Sequence, residues 1–494
     1  MRKTNIYLSA LIIFVSLMVS PGDVYSQIKI AKNSETARGE DSPFGIHDPV
    51  VPQVDSLEDV ATAGAKWIRY AGGSGIVWDL IEPQKGRFDW MYQDRLYLET
   101  FKNNIKMFVT ILPANRWDRT VTQRRPEQMP RDMEAYKNFL SKAVERYDGD
   151  GIDDAPGSPV ISVWQISNEL DLFWNDTLAD YAKLLKESYK IIKQANPQAK
   201  VAIGGVGTPQ GFDGVTKFYV PLLEELAKIK DNPTDRYFDV FDFHWYPFES
   251  QYNYLRENLL GTDYVTYLKS YIENIDNTLA KYGYDSTPIF ITETAQYSDL
   301  PAPMPTPPEV MQPLPALQFH TEKKQALDLY KIYLYSLANG VKKLFWVTLT
   351  EWHDFAGVPN GVFDNVGLIN NPQNGGQSHK KLAYYTYKKM VEILEGSDWN
   401  NIQTIQEKDG IYIYKFTKQG KPIWVAWNDN AEAKQVTISG IISNQIKLTE
   451  AIPQYESGKE VTDYNAAFKT ETKDVSGGRI SVTLGNIPVF IGEE

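Results

Sequence analysis

Two acidic residues in this sequence stand where strongly apolar runs come to an end. VISVWQISNE at 160–169 closes on Asn168 and Glu169, and IFITET at 289–294 carries Glu293 next to its last residue. A carboxyl group held at a strand end inside the mouth of a packed barrel loses water, which raises its pKa and suits it to proton donation. Two such groups about 5 to 5.5 Å apart, one ionised and one protonated, have the geometry of a double displacement at an acetal carbon through a covalent intermediate. Like-charge repulsion then helps hold one of them protonated.

The surrounding sequence supplies elements able to bring these acids together. From residue 43 to about 395, short β-branched or aromatic runs alternate with longer amphipathic stretches, as expected for repeated βα units on a parallel sheet. Eight runs stand out: FGIH (44–47), KWIRYA (66–71), IKMFVTILP (105–113), VISVWQISNE (160–169), KVAIGG (200–205), DVFDFHWY (239–246), IFITET (289–294) and KKLFWVTLT (342–350). Helical periodicity fills the intervals, as in LADYAKLLKESYKIIKQA at 178–195 and KKQALDLYKIYLYSLANG at 323–340, where Gly340 is a C-terminal stop. Eight strands with eight crossovers predict a closed (β/α)8 TIM barrel rather than a doubly wound open sheet, and catalytic groups in such a barrel sit at the C-terminal strand ends.

After Gly396 the pattern changes to GIYIYKF, PIWVAWN, KQVTISG, QIKLTEAI, RISVTLG and PVFIGE, separated by Gly, Asn, Asp and Pro turns. These predict an antiparallel β-sandwich. The expected organisation is a signal peptide over 1–26, a catalytic barrel over 27–395 and a C-terminal β-sandwich over 396–494. The leader reading rests on Arg2 and Lys3, the apolar run from Ile6 to Val19, and the segment ending Val24-Tyr25-Ser26, with cleavage expected after Ser26. The apolar run is shorter than the ~20 residues a membrane-spanning helix needs, so a secreted or periplasmic protein free of the membrane is expected. Seven prolines between Asp299 and Gln318 predict a stiff surface loop that walls the cleft between the seventh strand and the seventh helix.

Composition narrows the chemistry. The 494 residues carry 51 Lys plus Arg against 63 Asp plus Glu, a net charge of −12 that argues against nucleic acid or anionic lipid as a partner. The absence of cysteine removes disulfides, zinc-thiolate sites, iron–sulfur clusters and thiol nucleophiles. None of the five histidines forms an i, i+4 pair with a helix glutamate, GGVGTPQG at 204–211 lacks the glycine spacing of a dinucleotide loop, and GGSGI at 72–76 lacks the last Gly of a nucleophile elbow. No metal and no cofactor is expected.

WQISNEL at 164–170 followed by ITET at 291–294 resembles glycoside hydrolase clan A, the retaining barrel glycosidases with the acid/base on strand 4 and the nucleophile on strand 7. FGIH, WIRY, the WDLIEPQKGRFDW segment at 78–90, HWYP at 244–247 and Trp346 stand where clan members carry comparable residues. With its C-terminal β domain, the chain is most similar to families 39 and 5, although Leu170 replaces the usual Pro after Asn-Glu. The resemblance implies a carbohydrate substrate, Glu169 as acid/base, Glu293 as nucleophile and Asn168 as partner of the sugar's 2-hydroxyl. It further implies Arg69 as a fixed cation beside Glu293, His244 and Tyr246 as pocket residues with Tyr246 donating to the nucleophile, and Trp346 as an aromatic floor for the sugar. Trp78, Trp117, Phe173, Trp174, Phe248, Tyr252, Tyr254 and Trp352 are candidates for further sugar contacts. A barrel that binds carbohydrate without cleaving it is the competing expectation, and the β-sandwich is expected to be structural rather than a sugar-binding module.

Overall fold

A computed structural model describes residues 42–48, 56–118, 127–207, 215–247, 264–302, 317–357 and 359–493. The expected leader with its cleavage point, most of the proline-rich segment, and Phe248, Tyr252 and Tyr254 lie outside the described residues.

Eight parallel strands form the core sheet: β1 (Phe44–His47), β2 (Trp67–Tyr70), β3 (Lys106–Leu112), β4 (Ile161–Ile166), β5 (Lys200–Ala202), β6 (Phe241–Trp245), β7 (Ile289–Thr294) and β8 (Lys343–Val347). Their spatial order is β5-β4-β3-β2-β1-β8-β7-β6, and the parallel bridge Ala202–Val240 brings the two ends of that order together. This is the (β/α)8 barrel that the eight apolar runs predict. Each strand is followed by a helix: α1 (Ser56–Thr62), α2 (Met91–Lys102), α3 (Met133–Arg146), α4 (Leu178–Ala195), α5 (Val220–Lys228), α6 (Tyr264–Lys281), α7 (Glu322–Ala338) and α8 (Leu382–Leu394). The starts of α3, α4 and α7 are fixed by Asp132, Thr177 and Thr321, whose side chains accept the free backbone N–H of Ala135, Asp180 and Lys324.

The period-two alternation of each strand sorts its residues into two buried layers. Trp67, Phe108, Val163, Ala202, Phe290 and Phe345, one from each of six strands, and Val240 just before β6 fill the barrel interior. On β1 the matching position is Gly45, and a Cβ there would lie 2.5 Å from the Phe345 ring, so only glycine fits the layer. Their sequence neighbours, such as Ile68, Trp164, Ile291 and Trp346, point outward into the layer between strands and helices.

The C-terminal region is antiparallel. A six-stranded sheet contains β9 (Gln403–Lys408), β10 (Ile411–Lys418), β11 (Lys421–Asn428), β13 (Gln445–Glu450), β14 (Thr470–Asp474) and β16 (Val489–Glu493). A two-stranded sheet pairs β12 (Lys434–Ser439) with β15 (Arg479–Leu484). Ile413, Trp424, Ile438, Ile446, Val482 and Ile491 belong to the core shared by the two sheets. The alternate residues Tyr414, Val425, Trp427 and Phe490 join the barrel's outer core instead. There the Tyr330 ring on α7 meets Trp427 and Phe490 edge-on, and its hydroxyl donates to the Val489 carbonyl at 2.9 Å. Thr386 on α8 donates to the Ala451 carbonyl, and Glu322 at the start of α7 accepts from the backbone N–H of Gly458. No helix among the described residues is long and apolar enough to cross a membrane.

Candidate active site

The acids of strands β4 and β7 converge at the C-terminal mouth of the barrel. Ligating atoms of Glu169, His244 and Glu293 lie within 4.8 Å of one another. His244 stands between the carboxylates, its Nδ1 3.0 Å from Glu169 Oε1 and 3.5 Å from Glu293 Oε2.

Each acid reaches this point by a local break in regular structure. β4 ends at Ile166, before the Asn-Glu pair, and Ser167 (φ 70°) and Glu169 (φ 46°) then adopt left-handed backbone. Such conformations cost about 1–3 kcal/mol each for residues other than glycine, and they turn the chain so that Glu169 caps a short helix over Leu170–Phe173. Gly207, in the loop after β5, packs against the acid: a Cβ there would lie 2.6 Å from Glu169 Oε1. On β7 the device is a bulge. Phe243 pairs with Ile291 but His244 pairs with Glu293, leaving Thr292 as an extra residue. Phe290 faces the barrel interior, so simple alternation would send Glu293 outward, and the added residue turns it back in.

Arg69 organises the base of the site from β2. Fully buried, its guanidinium donates through Nη1 to Glu293 Oε1 at 2.8 Å and through Nη2 to Asn168 Oδ1 at 2.5 Å. Nη2 also donates to Gln165 Oε1 at 2.8 Å, and Nε to the same oxygen at 3.2 Å. With its Oδ1 held by arginine, Asn168 keeps its amide N–H groups for another acceptor. Tyr246, the residue just past the end of β6, donates to Glu293 Oε2 at 2.5 Å.

Burial alone would raise the pKa of any carboxyl at this mouth. For Glu293, burial does push the pKa up, but His244, His47, Arg69 and the Tyr246 hydroxyl together outweigh it and hold the group well below the usual carboxylate range. His47 Nε2 lies 3.3 Å from Glu293 Oε1, yet burial, with Arg69 beside it, lowers the imidazole to about 3. His47 is therefore neutral near pH 7, and Arg69 is the standing cation. Burial likewise disfavours a charged His244, but Glu293 and the bond to Glu169 prevail and raise its pKa. The spacing of Glu169, His244 and Glu293 would admit a cation, but both Glu293 oxygens already accept hydrogen bonds and a guanidinium lies 2.8 Å away. The set is a carboxylate pair with its own donors rather than a metal centre.

Of the residues expected at the site, the structure gathers Glu169, Glu293, Arg69, Asn168, His244 and Tyr246 and leaves out Trp346. Phe345 faces the interior, so Trp346 faces the helices, fully buried, with its indole N–H donating to the Val366 carbonyl at 3.1 Å. The expectation that it floors the sugar pocket is corrected by strand parity. Trp78 is likewise enclosed, stacked on Phe139 and donating to Glu82 Oε2. Trp352 stacks on Phe355 at 4.0 Å between centroids, and Phe363 links this pair to Tyr246.

Three polar residues belong to the site without having been singled out from the sequence: His47, Gln165 and Asp242. Gln165 accepts from Arg69 and Thr110 and donates to Asp242 Oδ2 at 2.5 Å. A buried acid behind the mouth, Glu127, accepts the Asn168 N–H at 3.3 Å, and burial pushes its carboxyl up to about 8. The available signal was parity: Gln165 and Asp242 are polar residues at inward positions of otherwise apolar runs, and His47 ends FGIH on the same parity as Gly45.

No protein-family model matches the sequence, and no curated protein matches it. Solved structures do. A family 39 glycoside hydrolase from Bacteroides cellulosilyticus WH2 superposes with a TM-score of 0.63 at 18% identity, covering 92% of this chain and 81% of its own. A monomeric beta-xylosidase from Caulobacter crescentus CB15 gives 0.59 at 13% identity, with 92% and 96% covered. A family 51 alpha-L-arabinofuranosidase from Bifidobacterium longum gives 0.57 at 14% identity, with 93% and 98% covered. Over most of its length the chain thus shares its fold with these proteins.

Proposed function

We propose that this protein is a retaining β-glycosidase that hydrolyses O-glycosidic bonds of extracellular oligo- or polysaccharides, exported by way of its N-terminal leader. One observation carries the reading: a carboxylate oxygen of Glu169 and one of Glu293 lie within 4.8 Å, in keeping with the short carboxyl spacing used for direct attack rather than the ~6.5–9.5 Å that admits a water between acid and base. The structural neighbours, among them a beta-xylosidase and an alpha-L-arabinofuranosidase by name, support the substrate class.

In this reading Glu293, kept ionised by Arg69 and Tyr246, attacks the anomeric carbon as the bond to the leaving oxygen breaks, and Glu169 gives that oxygen its proton. The ionised Glu169 then takes a proton from water, whose oxygen attacks the anomeric carbon and releases Glu293. Asn168, oriented by Arg69, offers its amide to the 2-hydroxyl. The Arg69 cation also opposes protonation of the nucleophile between turnovers.

A 2-deoxy-2-fluoro glycosyl substrate with a good leaving group should label the peptide that contains Glu293. Labelling of another acid would overturn the assignment. Glu351, the next acid beyond β8, is already bound by the Lys381 ammonium and the Asn371 N–H. Binding of oligosaccharide without labelling or turnover would make the barrel a carbohydrate-binding protein instead.

A further inference from the structure

The turn that carries Glu169 is strained, and part of what holds it comes from outside the barrel strands. Ser167 and Glu169 are left-handed, and residues other than glycine stay in such backbone only where their surroundings hold them. The N–H of Ser167 donates to the Ile111 carbonyl on β3 at 2.9 Å, one residue before that strand ends at Leu112. The next N–H, that of Asn168, goes instead to a side chain, Glu127 Oε2, at 3.3 Å.

Glu127 reaches that N–H from a fixed base. It lies between β3 and α3 and bridges to Trp174 in parallel. Its N–H donates to the Phe173 carbonyl at 3.0 Å, and its own carbonyl accepts from the Asn175 N–H at 2.9 Å. Two residues on, the Met129 N–H donates to Asp176 Oδ2 at 2.7 Å. The segment at 127–129 is thus fastened along 173–176, at the far end of the short helix that Glu169 caps, and the Glu127 side chain reaches back to the residue before that cap. The acid is only 7% exposed. Burial pushes its carboxyl up to about 8 against the pull of the Asn168 N–H, and nearby Glu169 pushes the same way, so Glu127 is neutral near pH 7 and adds no charge beside the acid/base.

We propose that Glu127 is a positioning residue for the acid/base: by accepting the Asn168 N–H, it fixes the turn that aims the Asn168 amide and the Glu169 carboxyl at the substrate. The inference deepens the glycosidase reading and rests on it. Proton transfer requires the donor within hydrogen-bond reach of the leaving oxygen, so a turn released from Glu127 costs rate chiefly where the leaving group needs a proton.

The test compares the full chain with Glu127→Ala, Glu127→Asp and Glu127→Gln, each checked for folding by circular dichroism, on the phenyl and dinitrophenyl β-glycosides of a sugar that the wild type cleaves. Glu127→Ala removes the acceptor of the Asn168 N–H and should lower kcat/KM by about a hundredfold on the phenyl glycoside and about fivefold or less on the dinitrophenyl glycoside. Glu127→Gln, whose amide oxygen can take the same N–H, should stay within about threefold of the wild type on both. Should Glu127→Ala not fold, Glu127→Asp, whose shorter side chain draws the carboxyl away from Asn168, is read in its place with the same expectation. Equal losses on the two substrates, the mark of a role in folding alone, overturn the proposal. So does an alanine variant as active as the wild type, or a glutamine variant as impaired as the alanine one. A wild type that cleaves no aryl glycoside refutes the reading of the site and this inference with it, whereas an active wild type whose variants show no split refutes this inference alone.

Discussion

His244 on β6 and Glu293 on β7 stand opposite each other in register only because Thr292 is an extra residue in its strand. The bulge sets the angle of the Glu293 carboxylate, and Thr292 itself is tied to Asp242 by a 2.8 Å hydrogen bond. Carboxylate orientation and barrel interior are thus coupled through one residue.

Glu293→Gln keeps the shape of the side chain but removes the nucleophile, and it should lower kcat on aryl β-glycosides by about a thousandfold or more. Glu169→Ala should be similarly impaired on substrates with poor leaving groups and much less on dinitrophenyl glycosides, which depart without protonation. Azide, entering where Glu169 no longer activates water, should restore turnover and yield a glycosyl azide of retained configuration. Equal losses on both substrate classes would remove Glu169 from the acid/base role.

Arg69→Met removes the fixed cation beside Glu293. The ionised nucleophile then loses stabilisation, its pKa rises, and the acidic limb of kcat/KM moves to higher pH by about one unit or more. Taking one partner from a buried pair also costs about 3–5 kcal/mol of stability, readable as a fall in Tm. A limb that stays in place would show that Arg69 does not set the protonation of Glu293.

Glu127 predicts a pH dependence of stability with a definite sign. Its carboxyl is pushed up to about 8 in the folded chain from an ordinary 4.5, so the folded state binds more protons between those values and stability falls as pH rises through them. The loss is at most about 1.4 kcal/mol per pH unit for one group. Glu127→Gln removes it while the amide oxygen can still accept from Asn168. Denaturant titrations at pH 5 and pH 8 should show the variant gaining on the wild type at the higher pH. An equal difference at both would place the titration elsewhere.

Trp346→Phe should reduce stability by about 1–3 kcal/mol, from lost volume and a lost indole hydrogen bond, and leave KM within about twofold. A large change in KM at constant stability would return Trp346 to the pocket.

Much of this was legible in the sequence because it is written in period and order. FGIH and IFITET match β1 and β7 residue for residue, and the periodic run at 178–195 is α4. His244 and Tyr246, two apart where β6 ends, share a face as alternation requires. Alternation also marks where reading failed. It breaks at Thr292, so a strict count would have turned Glu293 outward; it holds at Trp346, which the resemblance had suggested for the pocket. Burial by itself favoured raised carboxyl pKa values, whereas the sign at Glu293 is decided by partners from β1, β2 and β6 that no local stretch of sequence brings together.

Tyr330, Thr386 and Glu322 direct their hydrogen bonds to backbone atoms of Val489, Ala451 and Gly458, and the apolar side chains around them form one continuous core. Severing the polypeptide near Gly396 would strip solvent shielding from α7 and α8 and remove the acceptors of Tyr330 and Thr386, while Glu322 would keep the Leu382 N–H. The C-terminal sheets are in that sense the missing outer wall of the barrel.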